Sequence, residues 1–451
     1  MRDKEAERES LWMNRGHGGH VNTVRKICAL LSVFIFAFLF AAIPVSAHNQ
    51  AESAHQLTLE IYGNANEDDT IDMRDVTYIK LVIFGKKPET EFCDANYDGR
   101  VSMLDVVQTK LIIVGKEAKL TIVDSDDRIV TLKKPIKRVV VLWEGHLTNL
   151  RSLHIDKDKI VGVPSGISSK YYPLLSKKPE VGQHYSPDYE AILALEPDLV
   201  LTTTVSGYAA PVENYVPEEI KVLHLHPDPC SADKIEEYFN VMRLLGMIFD
   251  CESGAEKYIS WYKDYYDRIR AVTSEIPEDE KVRVLYIGGT YYWVPLPETI
   301  WGRMIKEAGG HYIPEDYDIS VIGTPGMGPG YMMDPEWIME VNPEVIIKST
   351  GCRGVTPSYE IDSYEPYKEL WEEAMADVAI NNTIAGKTGK VLILSHWVQV
   401  APNNIVGIAY MAKWFYPELF EDLHPREIQR EFLTMFQGVE DMGVYSYPPL
   451  E

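Results

Sequence analysis

Cysteine is scarce: five in 451 residues, at Cys28, Cys93, Cys230, Cys251 and Cys352. That excludes a fold held together by a disulfide framework. Cys230 and Cys251 are near in sequence, but residues 231–250 carry a helical pattern about 30 Å long, against the roughly 6 Å that a disulfide spans. They are not expected to bond. Positive charge is the second shortage, since 44 Lys and Arg face 68 Asp and Glu for a formal net of −24. Such a surface repels nucleic acid and anionic membranes, so no nucleic-acid partner is expected and cations, neutral molecules or metal chelates are favoured. Hydrolytic signatures are missing too. There is no Gly-x-Ser-x-Gly elbow and no His-Glu-x-x-His, and the glycine-rich residues 323–331 lack the Lys-Ser/Thr of a phosphate loop. The acidic residues cluster on helices and turns rather than as a pair across a cleft, so no enzyme is expected.

Long apolar runs are equally rare. The one at residues 27–42 follows Arg25 and Lys26 and is trailed by Pro44-Val45-Ser46-Ala47, small residues that fit cleavage after Ala47. Residues 1–47 are therefore expected to be an export signal, and the chain secreted or at the cell surface. The run is shorter than a comfortable span of about 20 residues, although left uncleaved it would serve as an anchor. Six basic and four acidic side chains precede Ala47, so the exported remainder is more acidic still. The hydrophobic share of the whole 451-residue chain, 45%, is enough for a packed core, and the length exceeds one ordinary domain.

What is present begins with a repeat. Residues 64–75 read NANEDDTIDMRD and residues 94–105 read DANYDGRVSMLD, followed by VTYIKLVIFGK and VVQTKLIIVGK. Oxygen side chains at loop positions 1, 3, 5 and 12, with a main-chain carbonyl at 7 and a water-mediated donor at 9, suit calcium. Loop one offers Asn64, Asn66, Asp68, Thr70 (carbonyl), Asp72 and Asp75; loop two offers Asp94, Asn96, Asp98, Arg100 (carbonyl), Ser102 and Asp105. Asn64 supplies one charge fewer than Asp94, and the sharp-turn position is Asp69 in loop one against Gly99 in loop two, so loop two is expected to bind more tightly. No helix enters either loop: residues 57–62 are β-like, and Lys86-Lys87-Pro88 breaks any helix before loop two. Loop-then-helix units ending in Asp resemble a type I dockerin, here over residues 57–118. The resemblance implies two calcium ions and a cohesin-bearing partner, with Met73, Arg74, Met103 and Leu104 as contacts.

From residue 119 strand and helix signals alternate, as in a sheet with crossover helices. A β-hairpin leads to a strand at residues 139–142. Residues 181–204, VGQHYSPDYEAILALEPDLVLTTT, pack a loop, a helix opened by Pro187 with an apolar face of Ile192, Leu193 and Leu195, and a buried strand at residues 199–204 into one unit. A helical pattern over residues 253–276 precedes a second set of strands beginning at residues 282–287. This wording resembles the class III solute-binding proteins of ABC importers. The resemblance implies two α/β lobes (residues 119–252 and 281–447) joined by one long helix (253–276), and a monomer that captures an iron complex of siderophore or haem type for a membrane permease. Cobalamin or another corrinoid is the alternative ligand, and a dockerin-borne polysaccharide-degrading enzyme or scaffold protein the alternative class.

Residues just past strands are the ligand candidates: Trp143, Glu144, His146, Tyr171, Tyr172, His184, Tyr185, Tyr291, Tyr292, Trp293, Arg353, His396 and Trp397, with Ser206 and Tyr208 beside the same boundaries. Aromatic faces suit a flat macrocycle or chelate, and Arg353 would fork onto an anionic edge. By the resemblance, His184 stands where cobalamin binders carry a stacking Trp, which favours an iron complex. A four-histidine metal centre of His146, His184, His226 and His396 lacks supporting spacing. The resemblance also implies one docking carboxylate per lobe: Glu190 matches the first, while the second position falls on Lys306 beside Glu307.

Overall fold

A computed structural model describes residues 58–450 except 205–208, 227, 230–234, 290–291, 326–328 and 351–357. The export signal and Arg353, Cys230, Cys352, Tyr291, Ser206 and Tyr208 lie outside the described residues. Among the described helices none is long and apolar enough to cross a membrane. Cys93 and Cys251 are free thiols.

Two parallel sheets dominate. In lobe one the order is Ile160–Gly162, Val139–Val141, Leu199–Thr202, Lys221–His224, all parallel. In lobe two it is His311–Tyr312, Arg283–Ile287, Val345–Ser349, Val391–Leu394, closed by an antiparallel Ser446–Tyr447. Val139–Val141, Leu199–Thr202 and Val391–Leu394 are buried at every position, because helices cover both faces of such sheets. These short apolar runs were readable as strands for that reason.

Helix Glu252–Thr273 stands between the two sheets. Ala255, Tyr258, Ile259, Trp261, Tyr262, Ile269 and Thr273 are buried, at the three- and four-residue spacing of a single face. Its polar tips reach across to the C-terminal segment: Tyr262 donates to Asn404 at 2.6 Å, Trp261 and Tyr265 donate to Glu431 at 3.0 and 2.7 Å, and Tyr258 donates to the Pro402 carbonyl.

The loop–helix repeat packs onto lobe one. Helices Met73–Ile83 and Met103–Ile113 begin with matching capping boxes, Asp72 with Asp75 and Ser102 with Asp105. Leu59, Ile61 and Ile112 join Leu120, Ile122 and Leu132 in one core, and Ile61 bridges Ile122 as an added strand position. Lys134 and Glu117 meet at 2.7 Å with both side chains almost wholly enclosed.

One local expectation is corrected. The helix after His184 starts at Tyr189, capped by the Asp188 side chain, while Pro187 sits in a two-residue strand, and Leu193 points to solvent; Ile192 alone is fully buried. Six residues are too few for the broader apolar stripe. Because breaking an enclosed ion pair strands the remaining charge, Lys134→Met should cost about 3 kcal/mol of stability, read as a lowered urea midpoint with an unchanged slope.

Candidate functional site

Both sheets present their C-terminal ends to one cavity of about 310 Å³. From lobe one, Trp143 closes the strand Val139–Val141 and forms the N-cap of helix Glu144–Ser152, so Trp143, Glu144 and Thr148 face the opening. Tyr171 and Tyr172 come from the following loop, and Tyr172 is fixed by Thr148, hydroxyl to hydroxyl at 2.8 Å. His184 comes from a hairpin that needs Gly182. There φ is +81°, and an added Cβ would lie 2.4 Å from the Ser186 carbonyl oxygen. The His184 ring meets Trp143 edge to face at 4.0 Å.

Lobe two contributes His396 and Trp397 from the turn after Val391–Leu394. Ser395 caps that turn by accepting the Trp397 N–H at 3.1 Å. Tyr359, Tyr445, Asn403 and Gln429 complete this side, the last two joined by a 2.6 Å hydrogen bond. The lobes also touch directly: Tyr171 and Tyr359 stack at 4.7 Å, Tyr359 donates to Glu144 at 3.3 Å, Lys170 meets Asp362 at 2.6 Å, and Ser168 donates to Glu360.

Of the residues expected from sequence, Trp143, Tyr172, His184, His396 and Trp397 are thus brought together. Others are placed elsewhere. His146 lies on the inner side of its helix, wholly buried, with Nε2 3.2 Å from the Thr202 carbonyl. Tyr185 is at the exposed hairpin tip and only flanks His184. Tyr292 and Trp293 are turned into lobe two, because Trp293–Pro295 pairs with Gly330–Met332 in a small antiparallel sheet. Tyr292 donates to Asp377 at 2.5 Å, and Trp293 packs edge-on against Trp301. Among the described residues no group of three or more His, Cys, Asp or Glu converges on a metal, so the four histidines form no centre. Glu190 is exposed on its helix, whereas Glu307 points inward to Arg270 at 3.1 Å. Sequence reasoning missed Tyr359, Tyr445, Asn403 and Asp228, which arrive on turns and loops with no local signal, and Gln429, from the inner face of helix Pro425–Glu431.

The two repeat loops have the same internal geometry. Asp75 accepts the Asn66 and Asp72 N–H groups at 3.0 and 2.8 Å; Asp105 accepts those of Asn96 and Ser102 at 3.1 and 2.7 Å. Burial pushes Asp75 up to about 6 and raises Asp105. In loop two, Asp94 accepts the N–H groups of Asp98 and Gly99, with Gly99 at φ +93°. Loop one differs. Asn64 donates to the carbonyls of Leu59 and Asp68, leaving its buried Oδ1 without a partner, and Arg74 bridges Asp68 and Asp72 at 2.9 Å each. Asp69 does not take the left-handed turn expected of it; Glu67 and Tyr97 occupy that region at equivalent loop positions. The loop spacing also offers Thr70 and Arg100 by their carbonyls and Asn66, Asn96, Asp68, Asp98, Asp72 and Ser102 by their side chains, oxygen donors of the kind a hard cation takes.

A family profile described as periplasmic binding protein matches residues 139–396, more than half of the chain; the loop–helix repeat lies before it. No curated protein matches the sequence. Among solved structures, the chain is similar to FepB, a TroA-like periplasmic binding protein of Veillonella parvula, at 21% identity and TM-score 0.61, covering 72% of this chain and 98% of that one. It is also similar to MolA of Haemophilus influenzae, the molybdate periplasmic binding protein of an ABC transporter, at 19% identity and TM-score 0.55, covering 72% and 99%. A third is CeuE of Helicobacter pylori in a nickel–histidine complex, at 16% identity and TM-score 0.52, covering 72% and 97%. At these identities the likeness concerns the fold alone.

Burial lowers His146, His184 and His396 to about 4 each, so all three are neutral at pH 7. Between about pH 4 and 6.5 the unfolded chain binds more protons at these sites, and their contribution to stability grows as pH rises through that window. Glu144 and Glu60, raised to about 7, and Asp75, raised to about 6, act in the opposite sense from about pH 4.5 upward. The difference between wild type and the His184→Gln, His396→Gln double variant isolates the histidines. The variant's stability should fall less on acidification from pH 6.5 to about 4.5, as read by urea unfolding at each pH.

Proposed function

Because the chain belongs to the periplasmic binding protein family, we propose that its interlobe cavity captures an iron complex, of siderophore or haem type, for delivery to an ABC importer. Proteins of this family bind solutes outside the cytoplasm and partner with ABC transporter permeases. The observation that carries the ligand reading is the aromatic lining. Trp143, Tyr171, Tyr172, Tyr359, Trp397 and Tyr445 surround one opening built from both lobes, which suits a large, flat-faced complex better than a bare ion. MolA and CeuE hold molybdate and a nickel–histidine complex in the same fold, so metal-bearing small solutes are within its reach. A corrinoid is the competing ligand of the same class. The exposed Glu190 is the docking carboxylate of lobe one.

Capture is tested by calorimetry with iron chelates, haem and cobalamin on protein examined first for co-purified ligand. Removing a central aromatic anchor commonly costs about 2 kcal/mol, so Trp397→Ala should weaken the bound complex roughly thirtyfold. Binding of a sugar or peptide instead, with no response to any metal complex, would remove this reading.

The repeat is proposed as a calcium-dependent dockerin for a cohesin-bearing partner. Met73, Met103 and Leu104 are more than half exposed, on the first turns of the two exit helices, and Arg74 lies beside them. Large apolar side chains in such positions are the kind a partner surface covers. The Arg74 guanidinium already neutralises Asp68 and Asp72, so a cation must displace it from loop one, while among the described residues Asp94, Asp98 and Asp105 of loop two have no comparably close cationic side chain. A calcium titration of the whole chain should show two transitions, with Asp94→Ala abolishing the tighter and Arg74→Gln strengthening the weaker. A single unchanged transition in both variants, or none in wild type, would refute the assignment.

A further inference from the structure

Glu144 occupies an unusual position in the cavity. It lies in the first turn of Glu144–Ser152; the Tyr359 hydroxyl donates to its carboxylate and the Tyr172 hydroxyl to its main-chain carbonyl, each at 3.3 Å, and among the described residues no cation pairs with it. Among the described residues that line the cavity there is no Lys or Arg; the charged side chains are Glu144 and Asp228. Arg151 stands behind the wall, stacked 5.0 and 4.9 Å from the Tyr171 and Tyr172 rings, and it donates to the carbonyls of Tyr171 and Gln437. His184 and His396 are held neutral by burial. Trp143, Tyr171, Tyr359 and Trp397 line the opening with rings whose faces are electron-rich. An anion here would meet the Glu144 carboxylate and aromatic rings in a low-dielectric space, with no Lys or Arg among the described lining residues.

Resting on the capture reading above, we infer that Glu144 is the specificity-determining residue of the cavity and selects a neutral or cationic metal complex carrying hydrogen-bond donors, against anionic ones. A positive ligand meets Glu144 directly and gains from the surrounding rings, and a neutral ligand with N–H or O–H groups donates to the same oxygen atoms. The net charge of −24 acts in the same sense during approach. Burial first, and Glu360 with it, pushes Glu144 up to about 7, while the Tyr359 and Tyr172 hydroxyls pull it down. A cationic ligand therefore binds by expelling a proton, and its affinity rises as pH is raised through 7, whereas that of a neutral donor ligand does not.

The test uses the full chain and two readouts, tryptophan fluorescence and calorimetry. The probes are iron(III) ferrioxamine B (cationic), iron(III) ferrichrome (neutral), the trianionic iron(III) tris-catechol complex, and two metal-free aromatic ions, N-methylacridinium and anthracene-9-carboxylate. The expected result is that the cationic and neutral complexes bind at least about tenfold more tightly than the trianion. The cationic complex gains affinity between about pH 6 and 8, and Glu144→Gln removes that gain and about tenfold of the preference for cation over neutral. Glu144→Asp should retain part of both. Preferential binding of the trianion, especially if lost in Arg353→Gln, would overturn the charge selection and leave the capture reading standing. Binding of N-methylacridinium alone, with no metal complex bound, would leave charge selection standing and end the iron-complex reading. Equal behaviour of Glu144→Gln and wild type towards every probe would overturn the role of Glu144, and no binding of any probe would overturn both.

Discussion

The helix Glu252–Thr273 fixes the geometry on which the cavity depends. Along one face Ala255, Tyr258, Ile259 and Tyr262 are buried in the large core, and Tyr258 meets Tyr238 of lobe one at 3.3 Å. The same helix sends its phenol and indole groups to Pro402, Asn404 and Glu431 of lobe two. A helix of 22 residues, about 33 Å long, is tied at side-chain level to both lobes. The strand ends that carry Trp143 and Trp397 therefore face each other by construction rather than by ligand-driven assembly. Hydroxyl tips on buried tyrosines also fix register, since Tyr258 meets both Pro402 and Tyr238 and loses these partners on sliding.

The direct interlobe contacts are of a different kind. Lys170 with Asp362 is partly solvated and contributes little to stability. The Tyr171–Tyr359 stack and the Tyr359–Glu144 hydrogen bond sit on the cavity wall itself. A ligand that takes over the Glu144 oxygen or slides between the rings competes with the contacts that hold the lobes together. Occupancy and lobe contact are thereby coupled through Tyr359, a residue shared by both.

Much of the lobes was legible because their strands are short apolar runs ended by polar residues, and Trp143, His184, His396 and Trp397 lie directly at such ends. The same rule failed for His146, which is two residues further into a helix and faces the sheet instead of the opening. It failed for Tyr292 and Trp293 because Trp293–Pro295 and Gly330–Met332, three residues each, carry no alternation long enough to show that they pair. Tyr359 and Tyr445 enter from turns distant in sequence, so only the tertiary fold brings them to Trp143. In the repeat the loop positions were plain from spacing, but the reach of Arg74 back to Asp68 depends on its rotamer, and the inward turn of Glu307 depends on Arg270 from another helix.

Carboxylates are plentiful in this chain, so their surroundings separate structure from function better than their number. Glu117 lies against Lys134, and Asp124 lies against Arg128 at 2.6 Å; such pairs are enclosed and matched. Asp75 and Asp105 are buried as well, yet their oxygens are held by backbone N–H groups, and burial raises both. Among the described residues Glu144 meets phenols and no cation. A buried acid left without a positive partner raises the energy of its own ionised form, and that cost is recovered only when something positive or hydrogen-donating arrives. By that reasoning the second and third groups are the places proposed above for ions and for a ligand, and the first holds the fold together.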